Sequence, residues 1–313
     1  MTRLWILIEK MVVEENSIEI DRDLCSGCGL CVAVCPTGTL SLADGKATVS
    51  GEASISCGHC AAVCPQEAIR VTAIDEEMSR YKTFDTDTMW LPPGKYSTPA
   101  LVQLMASRRS CRCYTGKPVD RAMLEDLIKI GITAPSGTNS QAWTFTVLPT
   151  RKAVISLAEH VASFFRRLNA AAEKTMLRVF LKLIGKGELD DYYRTYYRKV
   201  KDALGEWHGS GKDPLFHGST AAIVIGSKPG ASCPAEDALL AAQNILLAAH
   251  SMGLGSCLIG YAVAAMKKDP SIKRSIGIPS EEDIHAVIAL GYPDEIYQRA
   301  AGRKKVTPRY FEG

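Results

Sequence analysis

Four cysteines near the N-terminus have a spacing that suits iron–sulfur chemistry. The run reads C-x₂-C-x₂-C-x₃-C-P, and its members are Cys25, Cys28, Cys31, Cys35 and Pro36. Three closely spaced cysteines wrap the chain around one cluster, whereas the fourth, turned away by the proline, reaches a second cluster. The run therefore predicts a further set of cysteine ligands elsewhere in the chain.

A second run supplies that set, with one departure from the pattern. Its members are Cys57, Cys60, Cys64 and Pro65, and Ser54 stands where the pattern requires a cysteine. Crossed ligation completes one 4Fe–4S cluster with the thiolates of Cys25, Cys28, Cys31 and Cys64. The other cluster receives only three thiolates, from Cys35, Cys57 and Cys60. We predict two clusters, because the second run would otherwise have no reason to keep ligand spacing.

The missing thiolate leaves several outcomes open at the second site. Ser54 can ligate through an alkoxide, the iron can take another ligand or water, or the site can settle as a 3Fe–4S cluster. Alternatively, serine replaces a natural cysteine in this chain, or the second site is empty. A disulfide framework is the other interpretation of both runs, but it suits small secreted chains and does not require two C-x₃-C-P endings.

Composition limits the compartment and the partners. The remaining cysteines lack metal-ligand spacing and are expected to be packed, reduced thiols, namely Cys111, Cys113, Cys233 and Cys257. The net charge of +3 over 313 residues is too small to indicate nucleic-acid binding. The apolar stretch 4–8 is too short for a signal peptide or a membrane span. We therefore predict a cytoplasmic protein without a membrane or nucleic-acid partner.

The chain divides into two folding units joined by a linker. An internal repeat relates Cys31–Pro36 to Cys60–Pro65, as expected for one compact ferredoxin-like unit. The polar, irregular stretch that follows contains a Pro-Pro-Gly sequence, which is typical of a linker. The predicted boundaries are 1–15 for an N-terminal extension, 16–75 for the ferredoxin-like iron–sulfur domain, 76–98 for the linker and 99–313 for the second domain.

The second domain has a mixed pattern of helices and strands. Strands are predicted at 143–148, 221–225 and 286–290, the last two buried on both faces because they are continuously apolar. Asp120 is predicted to cap a helix whose apolar residues follow the 3.6-residue period. A helix over about 235–251 is apolar nearly all round and should be central. The pattern predicts an α+β domain.

A cluster of guanidinium groups precedes the first of these strands. Its members are Arg108, Arg109, Ser110 and Arg112. Guanidinium groups offer fixed pairs of donors that match phosphate oxygens. The loop 135–143 carries Asn139 and Gln141, whose amides can hydrogen-bond the edge of a flat heterocycle. A solvated basic surface is the alternative for the arginines alone, but both features together fit one ligand.

These motifs resemble the nitroreductase family of FMN flavoproteins. The resemblance covers about residues 97–313 and rests on Arg108–Tyr114, Ala134–Trp143, Gly253–Cys257 and Ala289–Pro293. With the iron–sulfur unit in front, the chain as a whole resembles the ferredoxin-fused nitroreductases of anaerobic microbes. The resemblance implies an α+β sheet flanked by helices, an intertwined homodimer, and FMN sites at the subunit interface.

The resemblance also assigns residues to the cofactor. The arginines and serine would hold the phosphate and ribityl chain, the two amides would meet the isoalloxazine edge, and a glycine-containing segment would approach flavin N5 and O4. Gly253 alone has another interpretation, as a helix C-cap. The residues implied to bind FMN are Arg108, Arg109, Ser110, Arg112, Asn139, Gln141, Leu254, Gly255, Ser256, Gly291 and a C-terminal cation, either Arg303 or Lys305.

The flavin performs the redox chemistry in this family, so we expect no catalytic side chain. Among the histidines, His208 and His217 are the candidates for approaching the substrate. Electrons would pass from a donor through the clusters to FMN and on to a small organic acceptor such as a nitroaromatic, a quinone or an activated alkene. No G-x-G-x-x-G segment follows a strand, so a low-potential ferredoxin-type or hydrogenase-type donor is as well supported as NAD(P)H.

Two other functions are compatible with the same residues. One is a non-catalytic carrier that relays electrons to a partner protein, and the other is a flavin-sequestering or cofactor-biosynthesis protein that shares the fold. The helical insert 151–212 occupies the place where family members form a substrate lid. A lid closed over FMN would favour the carrier, whereas rapid turnover of a small acceptor would exclude it.

Overall fold

A computed structural model describes residues 17–51, 53–210 and 212–313, so the predicted extension 1–15 lies outside the described residues. The strands of this part are β1 (Ile18–Ile20), β2 (Leu40–Ala43), β3 (Lys46–Val49), β4 (Ile69–Val71), β5 (Trp143–Leu148), β6 (Ala221–Ser227), β7 (Gly255–Leu258) and β8 (Asp283–Gly291). The α-helices are α1 (Leu30–Val34), α2 (His59–Val63), α3 (Thr98–Ser107), α4 (Arg121–Gly131), α5 (Arg151–Ala172), α6 (Thr175–Leu183), α7 (Glu188–Thr195), α8 (Tyr197–Ser210), α9 (Pro234–Ser251), α10 (Gly260–Lys268) and α11 (Pro270–Ser275).

The iron–sulfur segment is built from two similar halves, as the internal repeat predicts. Strand β1 pairs antiparallel with β4, and β2 pairs antiparallel with β3. Helices α1 and α2 each have five residues, and each follows a left-handed glycine, Gly29 at φ 73° and Gly58 at φ 76°. They end at Cys35 and Cys64, which share an extended backbone conformation. The last cysteine of each run is therefore turned away from its own helix.

The second domain is organised around a four-stranded antiparallel sheet in the order β5-β6-β8-β7. Every residue of β6 is buried, because successive side chains alternate between two packed faces. Ile223 and Ile225 pack with α4 and α9, whereas Ala222 and Val224 pack with α5 and α10. This arrangement of a sheet between helices confirms the predicted α+β fold.

The helix caps and strand positions largely follow the sequence pattern. The Asp120 side chain accepts a hydrogen bond from the Ala122 N–H at 2.8 Å and begins α4 as predicted. Strand β5 has the predicted bounds, and β6 and β8 extend beyond the predicted strands. Helix α9 packs on the sheet through its alanines, but Leu239 and Leu240 on its outer side are about half exposed. One side of α9 is thus uncovered in the single chain.

The insert 151–212 is helical, as predicted, and forms α5 to α8. Asp190 is its buried anion and pairs with Arg178 at 3.0 Å and Arg194 at 2.8 Å. The Tyr192 hydroxyl donates to Asn169 of α5 at 2.7 Å. Tyr192 therefore packs within the insert, whereas Tyr196 is about half exposed.

The C-terminal tail and one helix leave apolar side chains exposed. From residue 297 onward every residue of the tail is exposed, including Val306, Tyr310 and Phe311. Helix α3 buries none of its side chains and exposes Val102 and Met105. Within the described residues, no helix is both long and apolar enough to cross a membrane.

The linker is anchored to the second domain by a buried carboxylate. Asp126 of α4 is fully buried and accepts hydrogen bonds from the Lys82 N–H at 2.9 Å and from the N–H and hydroxyl of Thr83, both at 2.7 Å. On the exposed side of the same helix, Glu125 pairs with the Lys82 ammonium. The segment that follows the iron–sulfur unit is therefore fixed on α4.

We predict that Asp126→Asn lowers the free energy of unfolding by about 1–3 kcal/mol, because the amide presents an N–H₂ group to N–H donors that would be left unpaired. The matched control, Glu125→Gln, removes only an exposed ion pair and should cost less than about 1 kcal/mol. Chemical denaturation followed by circular dichroism measures both variants. Equal effects would show that the buried hydrogen bonds do not anchor the linker.

The same carboxylate predicts a pH dependence. Burial alone would raise the pKa of Asp126, but hydrogen bonds from Lys82 and Thr83 outweigh it and lower the pKa. A carboxyl group whose pKa is lower in the folded state contributes stability above the unfolded-state pKa of about 4, and this contribution is lost as pH falls through the folded value. The stability difference between the wild-type chain and Asp126→Asn should therefore shrink on acidification below about pH 4.

Candidate functional site

The cysteines surround two separate cavities, and the two runs exchange their last members. The first cavity is lined by Cys25, Cys28, Cys31 and Cys64. The second cavity is lined by Cys35, Cys57, Cys60 and Ser54. Across the described ranges, no three His, Cys, Asp or Glu side chains converge on a point as ligands of one metal ion. The thiols are instead spread around cavities, an arrangement that suits a multi-atom iron–sulfur cluster.

The polypeptide wraps the first cavity by means of a required glycine. Gly27 lies between the first two cysteines and has φ +75°, a conformation that side chains disfavour. A Cβ atom at this position would lie 2.0 Å from the Gly45 carbonyl oxygen. The Ala47 N–H donates to the Cys25 sulfur at 3.4 Å and is the main cause of the lowered pKa of Cys25. The local backbone thus favours the thiolate, which is the ligating form.

The second cavity differs from the first in its polar surroundings. Burial would raise the pKa of Cys35, but hydrogen bonds from the Thr37 hydroxyl and nearby backbone N–H groups lower it to about 7. His59 Nδ1 lies 2.9 Å from the Cys57 sulfur. The Ser54 hydroxyl lines the cavity and accepts from the Ser56 N–H at 3.1 Å. Burial raises the pKa of Cys31 in the first cavity and of Cys60 in the second.

The arginine-rich segment lies along the edge strand β7. Ser110 forms a parallel bridge with Ser256, and the Cys111 N–H donates to the Ser256 carbonyl at 3.0 Å. This approach requires a glycine, because a Cβ on Gly255 would lie 2.7 Å from the Cys111 sulfur. Gly291 meets the same constraint against the ring of Tyr114, at 2.8 Å. The structure therefore brings together the predicted residues Ser110, Gly255, Ser256 and Gly291.

The guanidinium groups at this edge lie close together, and the Glu295 carboxylate lies beside the Arg112 backbone N–H. Burial, followed by the charges of Arg109 and Arg303, lowers the pKa of Arg108, although an arginine stays charged. In the described part of the chain, no salt bridge pairs Arg108, Arg109, Arg112 or Arg303 with a carboxylate. Close positive charges repel one another, and a bound dianion would remove that repulsion. We call these four arginines, with Ser110 and Ser256, the phosphate half-site.

A buried hydroxyl at the same edge has no partner. Ser256 is 1% exposed, and its Oγ atom makes no hydrogen bond. A buried hydroxyl without a partner costs free energy, so it is expected to meet a polar group. The residues at this edge therefore fit an anionic ligand that also carries hydroxyl or carbonyl groups. Both C-terminal cations lie in the exposed tail, and Arg303 is the one whose charge acts on Arg108.

The two predicted amides lie in a conformationally strained loop. Thr138, Asn139 and Gln141 all have left-handed backbone angles, with φ of 52°, 55° and 44°. Asp237, in the first turn of α9, holds the loop by accepting from the Gly137 N–H at 2.9 Å. The Gln141 amide donates to the Asn139 side-chain oxygen at 3.1 Å. We call Asn139 and Gln141 the amide half-site.

Asn139 also contacts the iron–sulfur unit. Its side-chain N–H₂ group donates to the backbone carbonyl of Ile55 at 2.8 Å. Ile55 lines the second cavity, directly after Ser54. Sequence reasoning missed this contact, because a backbone carbonyl has no signature in the sequence.

The two half-sites lie at opposite ends of the domain. The amide half-site is held at the N-terminus of α9, whereas Leu254 and Gly255 follow directly after the end of α9. With 18 residues, α9 is about 27 Å long. The packed core of α9 and the sheet fills the space between them. A ligand that touches the phosphate half-site of one chain therefore cannot reach the amide half-site of the same chain.

Of the two histidines predicted to approach the substrate, the structure places the side chain of one. Burial, and then the positive charge of Arg112, lowers the pKa of His217, so this ring lies beside the phosphate half-site and favours its neutral form. His208 lies in α8, and its side chain is outside the described residues. Sequence reasoning also missed Glu295, which accepts from the Arg112 N–H at 2.8 Å. A single glutamate in an irregular tail gives no signal of such a role.

Comparisons with known proteins identify the family of this chain. A model of the nitroreductase family matches residues 105–292, more than half of the chain, and a model of the 4Fe-4S binding domain matches residues 18–41. An iodotyrosine deiodinase of Thermotoga neapolitana is 25% identical over 179 residues, covering 56% of this chain and 81% of the relative. A 4-nitrobenzoate reductase of Nocardioides is 24% identical over 210 residues, covering 61% and 79%.

Two solved structures are among those similar to this chain. A nitroreductase with bound FMN from Desulfitobacterium hafniense has a TM-score of 0.49 at 21% identity and covers 67% of this chain and 97% of its own. An iodotyrosine deiodinase bound to FMN and 3-iodo-L-tyrosine has a TM-score of 0.46 at 22% identity, covering 67% and 98%.

Proposed function

Because this chain belongs to the nitroreductase family and is an oxidoreductase, we propose that it uses FMN to reduce a small organic acceptor with electrons delivered through iron–sulfur clusters. The acceptor class is a nitroaromatic, a quinone or an activated alkene. The observation that carries the proposal is the phosphate half-site, in which four guanidinium groups and the unpartnered Ser256 hydroxyl await an anionic, hydroxyl-bearing ligand. The matching 4Fe-4S binding domain supports the iron–sulfur input.

FMN satisfies the requirements of both half-sites. Arg108, Arg109, Arg112 and Arg303 would neutralise its phosphate, and Ser110 and Ser256 would meet its polar chain and ring atoms. Asn139 and Gln141 would hydrogen-bond the isoalloxazine edge. When bound, FMN accepts electrons singly from clusters and delivers them in pairs to organic acceptors. The protein would orient the flavin through these contacts.

The separation of the half-sites supports a homodimer with shared sites. A twofold axis can bring the phosphate half-site of one chain against the amide half-site of the other. The single chain leaves apolar surface for such an interface, on α3, on the outer side of α9, and along the tail. Exposed apolar surface of this extent is typical of a subunit interface. Each dimer would then hold two equivalent FMN sites.

The iron–sulfur unit indicates which kind of electron donor the protein uses. Both cavities are lined for clusters, so we propose one 4Fe–4S cluster in the first and a 4Fe–4S or 3Fe–4S cluster in the second. A low-potential ferredoxin-type protein is the donor that matches electron entry at the clusters. NAD(P)H is the second donor to test. Seven thiols kept for clusters fit a reducing cytoplasm.

Anaerobic purification tests this proposal directly. Heat release and chromatography should yield FMN, and recovery of FAD or of no flavin after reconstitution would contradict the cofactor assignment. Reduced ferredoxin should then support turnover of a nitroaromatic or quinone acceptor. Flavin that is reduced by the clusters but turns over no small acceptor would instead indicate a relay to a partner protein.

The first prediction for this site separates the two C-terminal cations. Arg303→Gln should weaken FMN binding at least about tenfold, because it removes a charge-assisted contact worth about 1.5–3 kcal/mol. The matched control Lys305→Gln should change FMN binding less than about twofold. Fluorescence titration of the flavin-free protein measures both dissociation constants. A larger effect at Lys305 would assign the phosphate contact to that residue instead.

The second prediction concerns the ligand-poor cluster. The wild-type protein should contain about seven or eight iron atoms per chain, and Ser54→Cys should contain about eight. Ser50→Cys, which adds a thiol at an exposed position outside both cavities, should leave the iron content unchanged. Low-temperature electron paramagnetic resonance separates a three-iron from a four-iron cluster. Iron near four per wild-type chain would contradict the second cluster.

A further inference from the structure

We propose that each iron–sulfur unit reduces the flavin whose phosphate is held by the other subunit, and that the second cavity is the exit for the electrons. This inference rests on the proposed function and adds a route to it. Electron delivery would cross between subunits, so a single chain could not complete the path from donor to acceptor.

The contact between the two units identifies the exit. Among the hydrogen bonds whose donor and acceptor both belong to described residues, the one from Asn139 to the Ile55 carbonyl, at 2.8 Å, joins residues 17–75 to residues 98–313. Ile55 and Ser54 both line the second cavity. A cluster in this cavity therefore lies one residue away from a side chain of the amide half-site. Electron transfer becomes faster as the centres approach, so this cavity is the favoured exit.

The length of α9 identifies which flavin receives the electrons. Asn139 lies at the N-terminal end of α9, about 27 Å along the helix from Leu254 and the phosphate half-site of the same chain. The flavin that Asn139 touches must therefore have its phosphate on the partner chain. The iron–sulfur unit is hydrogen-bonded to Asn139 of its own chain. It therefore lies beside the flavin that Asn139 contacts and would reduce that flavin.

Because the second cavity is the exit, the first cavity is where electrons from the donor would enter. Cys28, which lines it, is exposed, and no hydrogen bond of the described residues links this cavity to the second domain. A reduced ferredoxin-type donor would give one electron at a time to the first cluster, which passes it to the second cluster and is reoxidised. Two such electrons, with protons from solvent, reduce the oxidised flavin by two electrons, and the donor is oxidised twice.

Two heterodimers with opposite expectations test the route. In the first, one chain carries Arg108→Ala and Arg112→Ala, which removes its phosphate half-site, and the other carries Cys57→Ala and Cys60→Ala, which removes its exit cluster. In the second, all four substitutions lie on one chain and the partner is wild type. Two different affinity tags isolate each heterodimer, and both should bind one flavin in place of two.

The measurement is anaerobic stopped-flow bleaching of flavin absorbance by reduced ferredoxin. Delivery between subunits predicts that the first heterodimer bleaches its flavin at the wild-type rate and that the second is at least tenfold slower. Delivery within one chain predicts the reverse, and equal rates in the two heterodimers would also overturn the proposal. Electron paramagnetic resonance counts the clusters, and absorbance counts the flavin, independently of turnover.

Two controls separate this inference from the proposed function. A wild-type dimer that binds no flavin, or whose flavin is not bleached by reduced clusters, would refute the proposed function itself. If the Cys57→Ala and Cys60→Ala chain does not yield a folded dimer, Cys57→Ala alone replaces it in both heterodimers. The expected order of the two bleaching rates is unchanged.

Discussion

The packing of α9 against the sheet sets the geometry on which the rest of the molecule depends. Its inner side consists largely of small residues, so the helix lies close to the strands and to α4. Gly131 of α4 illustrates the fit, because a Cβ atom there would lie 2.9 Å from the Ile245 side chain. A rigid helix of 18 residues then holds its two ends at a fixed separation. The amide and phosphate half-sites are attached at these ends and cannot approach each other within one chain.

The single chain carries an unpartnered buried hydroxyl and uncovered apolar surface together. The guanidinium cluster repels itself, and the Ser256 hydroxyl has no partner. Each arrangement costs free energy in the isolated subunit. A twofold-related copy and a bound dianion would offset both costs, so ligand binding and dimerisation are expected to stabilise each other.

Local motifs made much of this site predictable, whereas its long-range contacts were not. Cysteine spacing alone predicts the exchange of Cys35 and Cys64 between the cavities, because all the ligands lie within forty residues of one another. Strand β7 was missed, since Gly255 and Ser256 have low strand propensity and the strand forms only by pairing with β8. The anchoring of the linker on Asp126 depends on residues more than forty positions apart and left no local signal.

The two cysteine-lined cavities differ in the polar side chains around them, and the second cavity is the one beside the contact between the iron–sulfur unit and the second domain. The internal repeat gives them matching helices and matching cysteine turns, yet Ser54 replaces a thiol only at the second cavity, and His59 and Thr37 lie beside its cysteines. Ligand type and hydrogen bonds to sulfur set the reduction potential of a cluster. A cluster bound in the second cavity would therefore differ in reduction potential from a cluster bound in the first. A difference between two nearly symmetric clusters, placed next to the Asn139 contact, would give the electron path its direction.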